Sequence, residues 1–210
     1  PLYNKGITDI STPTEDNSYA YHTFKRAIDT VADPEYINMN LLSVPGLTVD
    51  ALTGHAINVC EERADSLAVI DLASVYIPRA EAYKSSKSDR IGTTPTAAAT
   101  ALKNRQIDSS YGCTFYPWVQ TRDQGTGAAV WLPPSAAMLG VLASSQRKAQ
   151  LWFAPAGFNR GGIGTLGGSA GPRVVGTIEH LTKQNRDDLY EENINPIARF
   201  PAVGEIVIFG

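Results

Sequence analysis

Apolar positions along this chain recur at two spacings, and the switches between them mark out its elements. Tyr21, Phe24, Ile28 and Val31 repeat at helical spacing. Asp33-Pro34 ends that helix, because the residue before a proline disfavours the α region. The short run Met39 to Val44, closed by Pro45-Gly46, predicts a strand and a turn. Val49, Leu52, Ala56, Val59 and Arg63 then share one face of a second helix, with Thr48 as its expected cap. Leu67 to Leu72 is nearly continuous in apolar residues, which suits a strand buried on both faces of a parallel sheet. Residues 78–92 are charged and rich in Ser and Lys, and predict an exposed loop.

Thr94-Pro95 opens a third helix through Lys103, with proline tolerated in the first turn. Cys113 to Thr121 predicts one strand, turning at Arg122 to Gly125 into a hairpin partner from Ala128 to Leu132. Pro134 to Ser145 predicts a helix, Arg173 to Ile178 a strand, Gln184 to Asn193 a short helix, and Glu205 to Phe209 the last strand. Helices and strands that alternate in this way imply an α/β fold: a mixed, mostly parallel sheet flanked by helices, with one antiparallel hairpin. The expected organisation is a loop or truncated edge over residues 1–17 and a single domain over 18–210.

With 43% hydrophobic and 19% charged residues, the 210-residue chain has the composition of an ordinary globular domain. The formal charge is −3, and the densest basic run is Arg147-Lys148, so nothing resembles the clustered cations of a nucleic-acid footprint. No window approaches the roughly 18 apolar residues of a membrane span. Cys60 and Cys113 are too few for a disulfide framework and read as small buried hydrophobes. The chain opens Pro1-Leu2-Tyr3 without an initiator Met, and its final apolar run stops at Gly210, so it reads as a piece of a longer polypeptide.

Two enzyme patterns lie in the glycine-rich stretch from Gly161 to Gly171. Gly162, Gly164 and Gly167 match a dinucleotide fingerprint, but the segments on either side are neither strand nor helix, and the pyrophosphate needs a helix N-terminus. Gly167, Ser169 and Gly171 match a nucleophile elbow, with His180 and Asp187 or Asp188 downstream. Pro172 denies the elbow its strand-to-helix turn, yet triads recur in several chain orders, so a serine hydrolase using Ser169 stays open as an alternative. His22, His55 and His180 are isolated, without metal-ligand spacing, and His22 and His55, on predicted helices, read as surface or capping residues. The adjacent acids Glu61-Glu62, Asp187-Asp188 and Glu191-Glu192 point apart on a helix and read as solvated faces. Tyr111, Phe115, Tyr116, Trp118, Trp131 and Trp152 read as core and inter-element packing.

Four Pro- and Gly-punctuated blocks follow in order: Tyr116-Pro117-Trp118-Val119, Trp131 to Ala137 through Pro133-Pro134, Trp152 to Gly161 through Pro155, Gly157 and Asn159, and Leu189 to Ile197 through Asn195-Pro196. This series resembles the tail sheath proteins of contractile-tailed bacteriophages, most closely from Ser109 to Gly210 and more loosely before it. The resemblance implies an α/β core domain, subtilisin-like in topology but without protease activity, and no catalytic residue, cofactor or metal. Tyr116, Pro117, Trp118, Pro133, Pro134, Trp152, Pro155, Gly157, Asn159, Asn195 and Pro196 would be structural motif residues. It further implies stacked hexameric rings around a tail tube, and contraction that drives the tube through the host envelope. The implied partners are other sheath subunits, the tail tube protein, the baseplate and the tail terminator, with no nucleic acid and no membrane. The implied location is the phage tail, with host cytoplasm during assembly. A sheath of a related contractile machine, such as a bacteriocin or secretion apparatus, fits the same residues. In this family, terminal arms add strands to neighbouring subunits. Such arms are not seen here, so the chain alone is expected to be monomeric or weakly associating. The stretch Gly161 to Pro172 is expected to be a mobile surface loop.

Overall fold

The computed structural model describes residues 19–72, 94–164 and 173–209. The expected loops at 1–17 and 78–92, Ser169, and most of the glycine-rich stretch lie outside these residues.

Helix α1 (Tyr19–Thr30) precedes strand β1 (Leu41–Ser43), helix α2 (Asp50–Arg63) and strand β2 (Leu67–Ile70). Helix α3 (Pro95–Asn104) leads into β3 (Gly112–Tyr116), β4 (Val119–Arg122) and β5 (Ala129–Leu132). Helix α4 (Pro134–Lys148) and the single turn α5 (Gly157–Arg160) follow. The chain continues through β6 (Val174–Thr177), α6 (Lys183–Glu191), β7 (Asn195–Phe200) and β8 (Glu205–Ile208).

The strands form two sheets. The larger has the order β1-β2-β3-β7-β8, parallel except for the antiparallel β7–β8 pair. The smaller is antiparallel, in the order β5-β4-β6. The α/β reading with a mostly parallel sheet therefore holds, and the hairpin belongs to the second sheet.

Side chains alternate across a strand, and that alternation builds the layers. Phe115 packs with Met138, Val141, Ile163, Ile197 and Ile206 beneath α4 and the small sheet. The next residue, Tyr116, packs with Ala98, Ala99 and Leu189, beneath α3 and α6 on the opposite face. Ala68 and Ile70 of β2 meet Ile57 and Cys60 of α2. Helix α1 lies outside α2, with Ile28 against Ala56 and Val59.

Several expectations change. The strand expected over Cys113 to Thr121 is two strands in different sheets, divided at Pro117, whose peptide bond with Tyr116 is cis. Proline has no N–H to continue a ladder, so the chain leaves the large sheet there. Thr48 is not the cap of α2: Val49 holds that position, with no side-chain hydrogen bond. Thr94 does cap α3, accepting from Ala97 N–H. The short helix is shifted to Lys183–Glu191 because a Thr182/Asn185 capping box sets its start. Asn193 in the left-handed region follows its end. The strand β7 was not foreseen, because Pro196 interrupts its apolar pattern.

Candidate functional site

The carboxyl ends of parallel strands are where open α/β sheets hold ligands. In this protein a buried acid at the end of β2 ties two neighbouring segments together there. Asp71, just past β2, is 1% exposed. Its Oδ2 accepts from Gly46 N–H at 2.8 Å and from Ser135 Oγ–H at 2.7 Å. Its Oδ1 accepts from Ser135 N–H at 3.1 Å. One carboxylate thus ties the turn after β1, the end of β2 and the first turn of α4. Burial pushes its pKa above the usual carboxylate range, against the lowering effect of the hydrogen bonds from Gly46 and Ser135. The sequence signal was a lone acid in an otherwise apolar run. The role of Ser135, buried at 0% exposure, was not readable there.

The motif residues divide into two groups. Tyr116, fully buried, is the register partner of Pro196 across β3 and β7. Asn195 donates from Nδ2 to the Thr114 carbonyl at 2.9 Å across the same pair. Pro117 is buried, and Trp118 packs half-buried against the Tyr116 cluster. Pro133 and Pro134 turn β5 into α4, with Pro134 buried in its first turn, where a missing N–H costs nothing. The structure therefore gathers Tyr116, Pro117, Trp118, Asn195 and Pro196 at the junction where the chain passes from one sheet to the other, and sets Pro133 and Pro134 beside Asp71.

The second group is at the surface. Trp152 is 79% exposed, which corrects its expected packing role. It stacks on Phe153, with ring centroids 6.4 Å apart, and the Arg160 guanidinium sits 4.8 Å over the Phe153 ring. Tyr111, Phe115, Tyr116 and Trp118 do pack against the core clusters. Pro155 is half-buried and Asn159 exposed. Gly157 starts α5 with φ +76°, a conformation glycine adopts without strain. At Gly161 a Cβ would lie 2.7 Å from the Ile208 carbonyl oxygen and 2.7 Å from Ala156 Cα. That closeness lets the segment pair along β8, where Ile163 N–H meets Ile206 O and Ile208 N–H meets Gly161 O.

Cys60 is fully buried, and burial raises the pKa of its thiol. Burial likewise pushes Cys113 up to about 12, so neither is a ready nucleophile. His55 reaches across to Asp29, joining α2 to α1, while His22 and His180 are exposed. Arg63, with a side chain 1% exposed, donates to the Val31 and Ile37 carbonyls and forks onto Asp65. Its place on the apolar face of α2 was legible, but these partners were not. Among the described residues no group of three His, Cys, Asp or Glu could hold a metal ion. Among them, too, no helix is long and apolar enough to cross a membrane. A hollow of about 490 Å³ opens at the amino end of β3, lined by Lys103, Asp108, Gly112 and Glu192. Ser169, the nucleophile of the hydrolase alternative, falls outside the described residues.

No family model matches the chain. It is similar to the tail sheath protein of Vibrio phage KVP40, 24% identical over 193 residues, covering 87% of this chain and 27% of the relative. It is also similar to the tail sheath protein of Enterobacteria phage T4, 26% identical over 181 residues, covering 81% and 26%. The chain thus spans about a quarter of the length of the curated relatives it matches. Its fold is shared with a chain of the anti-feeding prophage baseplate, with TM-score 0.59, 17% identity, and 94% of this chain on 42% of that one. It is shared also with the anti-feeding prophage helical sheath in its contracted state, with TM-score 0.56, 19% identity, and 95% on 44%. The resemblance to tail sheath proteins thus extends over most of this chain.

Proposed function

We propose that this chain is the α/β core of a contractile tail sheath subunit, one domain over residues 18–210 of a longer polypeptide. The observation that carries this reading is the match of more than four-fifths of the chain to two phage tail sheath proteins. In this reading the subunit polymerises as stacked hexameric rings around a tail tube, and contracts to drive the tube through the host envelope. It meets the tube protein, the baseplate and the tail terminator within the virion, after assembly in the host cytoplasm. The chain has no catalytic role: its motif residues hold the domain as a stiff unit that transmits force through its contacts. Arms outside the domain supply the strong strand-exchange contacts, so the 210-residue chain alone is monomeric or only weakly associating.

The test is negative-stain electron microscopy of the complete gene product beside this chain. Long hollow tubes from the first and none from the second are expected. Discrete particles from both would sink the sheath reading.

A further inference from the structure

Helices α1 and α2 are similar in length but are held in different ways. Helix α2, of 14 residues, buries Leu52, Ile57 and Cys60 among others, and Ile57 and Cys60 meet Ala68 and Ile70 of the sheet. Helix α1 buries one of its 12 residues, Ile28, which rests on Ala56 and Val59 of α2. Nearer its start, Tyr19 is 86% exposed and Phe24 is also exposed. A polar contact joins the two helices, His55 Nε2 to Asp29 Oδ1 at 2.5 Å, with the Asp29 side chain half exposed. Just past α1 the grip is firmer. Arg63, with a side chain 1% exposed, donates to the carbonyl of Val31 at 2.7 Å and to that of Ile37 at 2.9 Å. Helix α1 therefore has a fixed root and a lightly held body.

We propose that α1 is a detachable clasp: it undocks from α2 and melts as a unit, with Arg63 as the fixed root, while α2 and the sheet beneath it stay folded. A helix of this length is marginal alone in water, so leaving α2 means losing its helical form. One buried side chain and one half-exposed ion pair oppose that step, and exposed ion pairs contribute little. Elements with few buried apolar contacts open below the free energy of global unfolding. Ile57 and Cys60 keep their own contacts with the sheet when α1 leaves, and Arg63 keeps Val31 and Ile37 in place. The consequence is a change of reach. From Tyr19 to the root at Val31 the docked helix spans roughly 18 Å, and the melted segment spans up to about 40 Å. The clasp is an extensible connector with two lengths, and tension on Tyr19 favours the longer one. This proposal does not rest on the sheath reading.

The test combines native-state hydrogen exchange with limited trypsin digestion of the 210-residue chain. Lys25 and Arg26 are exposed in the middle of α1, so cleavage after them reports its melting. The α1 amides should be protected, but should exchange at least about tenfold faster than those of α2 and β2. Mass spectrometry should find cleavage after Lys25 or Arg26 in chains whose β2 amides remain protected. Ile28→Ala should speed that cleavage at least about fivefold. Asp29→Asn should speed it about two- to threefold, and the exchanged pair, Asp29→His with His55→Asp, should bring back the wild-type rate. Circular dichroism checks that the variants fold. Wild-type α1 amides that exchange at the rate of β2 overturn the proposal, because α1 then opens only with the whole domain. So do α1 amides with no protection, because nothing then docks. An Ile28→Ala chain that cannot fold overturns it too, since a detachable helix is not required by the rest. The sheath reading stands or falls separately, on the tubes formed by the complete gene product.

Discussion

The Asp71–Ser135 junction and the Leu151–Arg160 segment stand at opposite ends of helix α4, and they are built on opposite principles. At the first, every group is enclosed: Ser135 is 0% exposed and Asp71 1%, and their polar atoms satisfy one another. At the second, Trp152 keeps 79% of its surface, and its ring stacks on the neighbouring Phe153. Both stretches belong to one series of Pro- and Gly-rich motifs, and in sequence they look alike. A buried motif holds the fold, and its loss is read in stability. An exposed aromatic motif adds little to the fold, and its loss should leave stability nearly unchanged.

That contrast can be broken by measurement. The largest effect belongs to the shared core beneath α4. Ile197→Ala, at a site 1% exposed, should cost about 3–4 kcal/mol in urea unfolding. A loss under about 1 kcal/mol would mean that β7 does not pack as described.

Asp71→Ala leaves two backbone N–H groups and one hydroxyl without their acceptor, and should cost about 3 kcal/mol. Its pH dependence sharpens the point. Burial raises the folded pKa above the unfolded value of 3.8. The stability from the protonated side chain is therefore fully present below pH 3.8, and is lost as pH rises through the folded pKa. The gap between wild type and Asp71→Ala should be widest near pH 4 and shrink toward neutrality, as followed by thermal unfolding. A gap that widens with rising pH would show that the hydrogen bonds outweigh burial.

Thr94→Ala removes the cap of α3 and should cost about 1 kcal/mol, measured in the same way. Trp152→Ala should change stability by less than about 0.5 kcal/mol. A clear destabilisation there would show that the exposed turn belongs to the fold after all, and would erase the difference between the two regions.

The parts of this protein legible in its sequence are those set by local physics. Helical spacing placed α1 through Ile28, and the apolar run placed β2 in the middle of a parallel sheet. Thr94-Pro95 marked the start of α3 because a cap and a first-turn proline act on adjacent residues. The division of Cys113 to Thr121 at Pro117 was also local in cause, but it was hidden by the apolar pairs Phe115-Tyr116 and Trp118-Val119 on either side.

What only the tertiary structure decided depends on residues far apart in the chain. Asp71 finds Ser135 sixty-four positions away, and Arg63 finds Val31 thirty-two away. Neither pairing follows from any periodicity in the chain. Exposure is of the same kind. Trp118 and Trp152 both sit in apolar, proline-punctuated strings, but one is covered by the Tyr116 cluster and the other is left in solvent. Hydrophobic pattern reports what a side chain would gain from burial, and only the packing of layers determines whether anything is there to bury it.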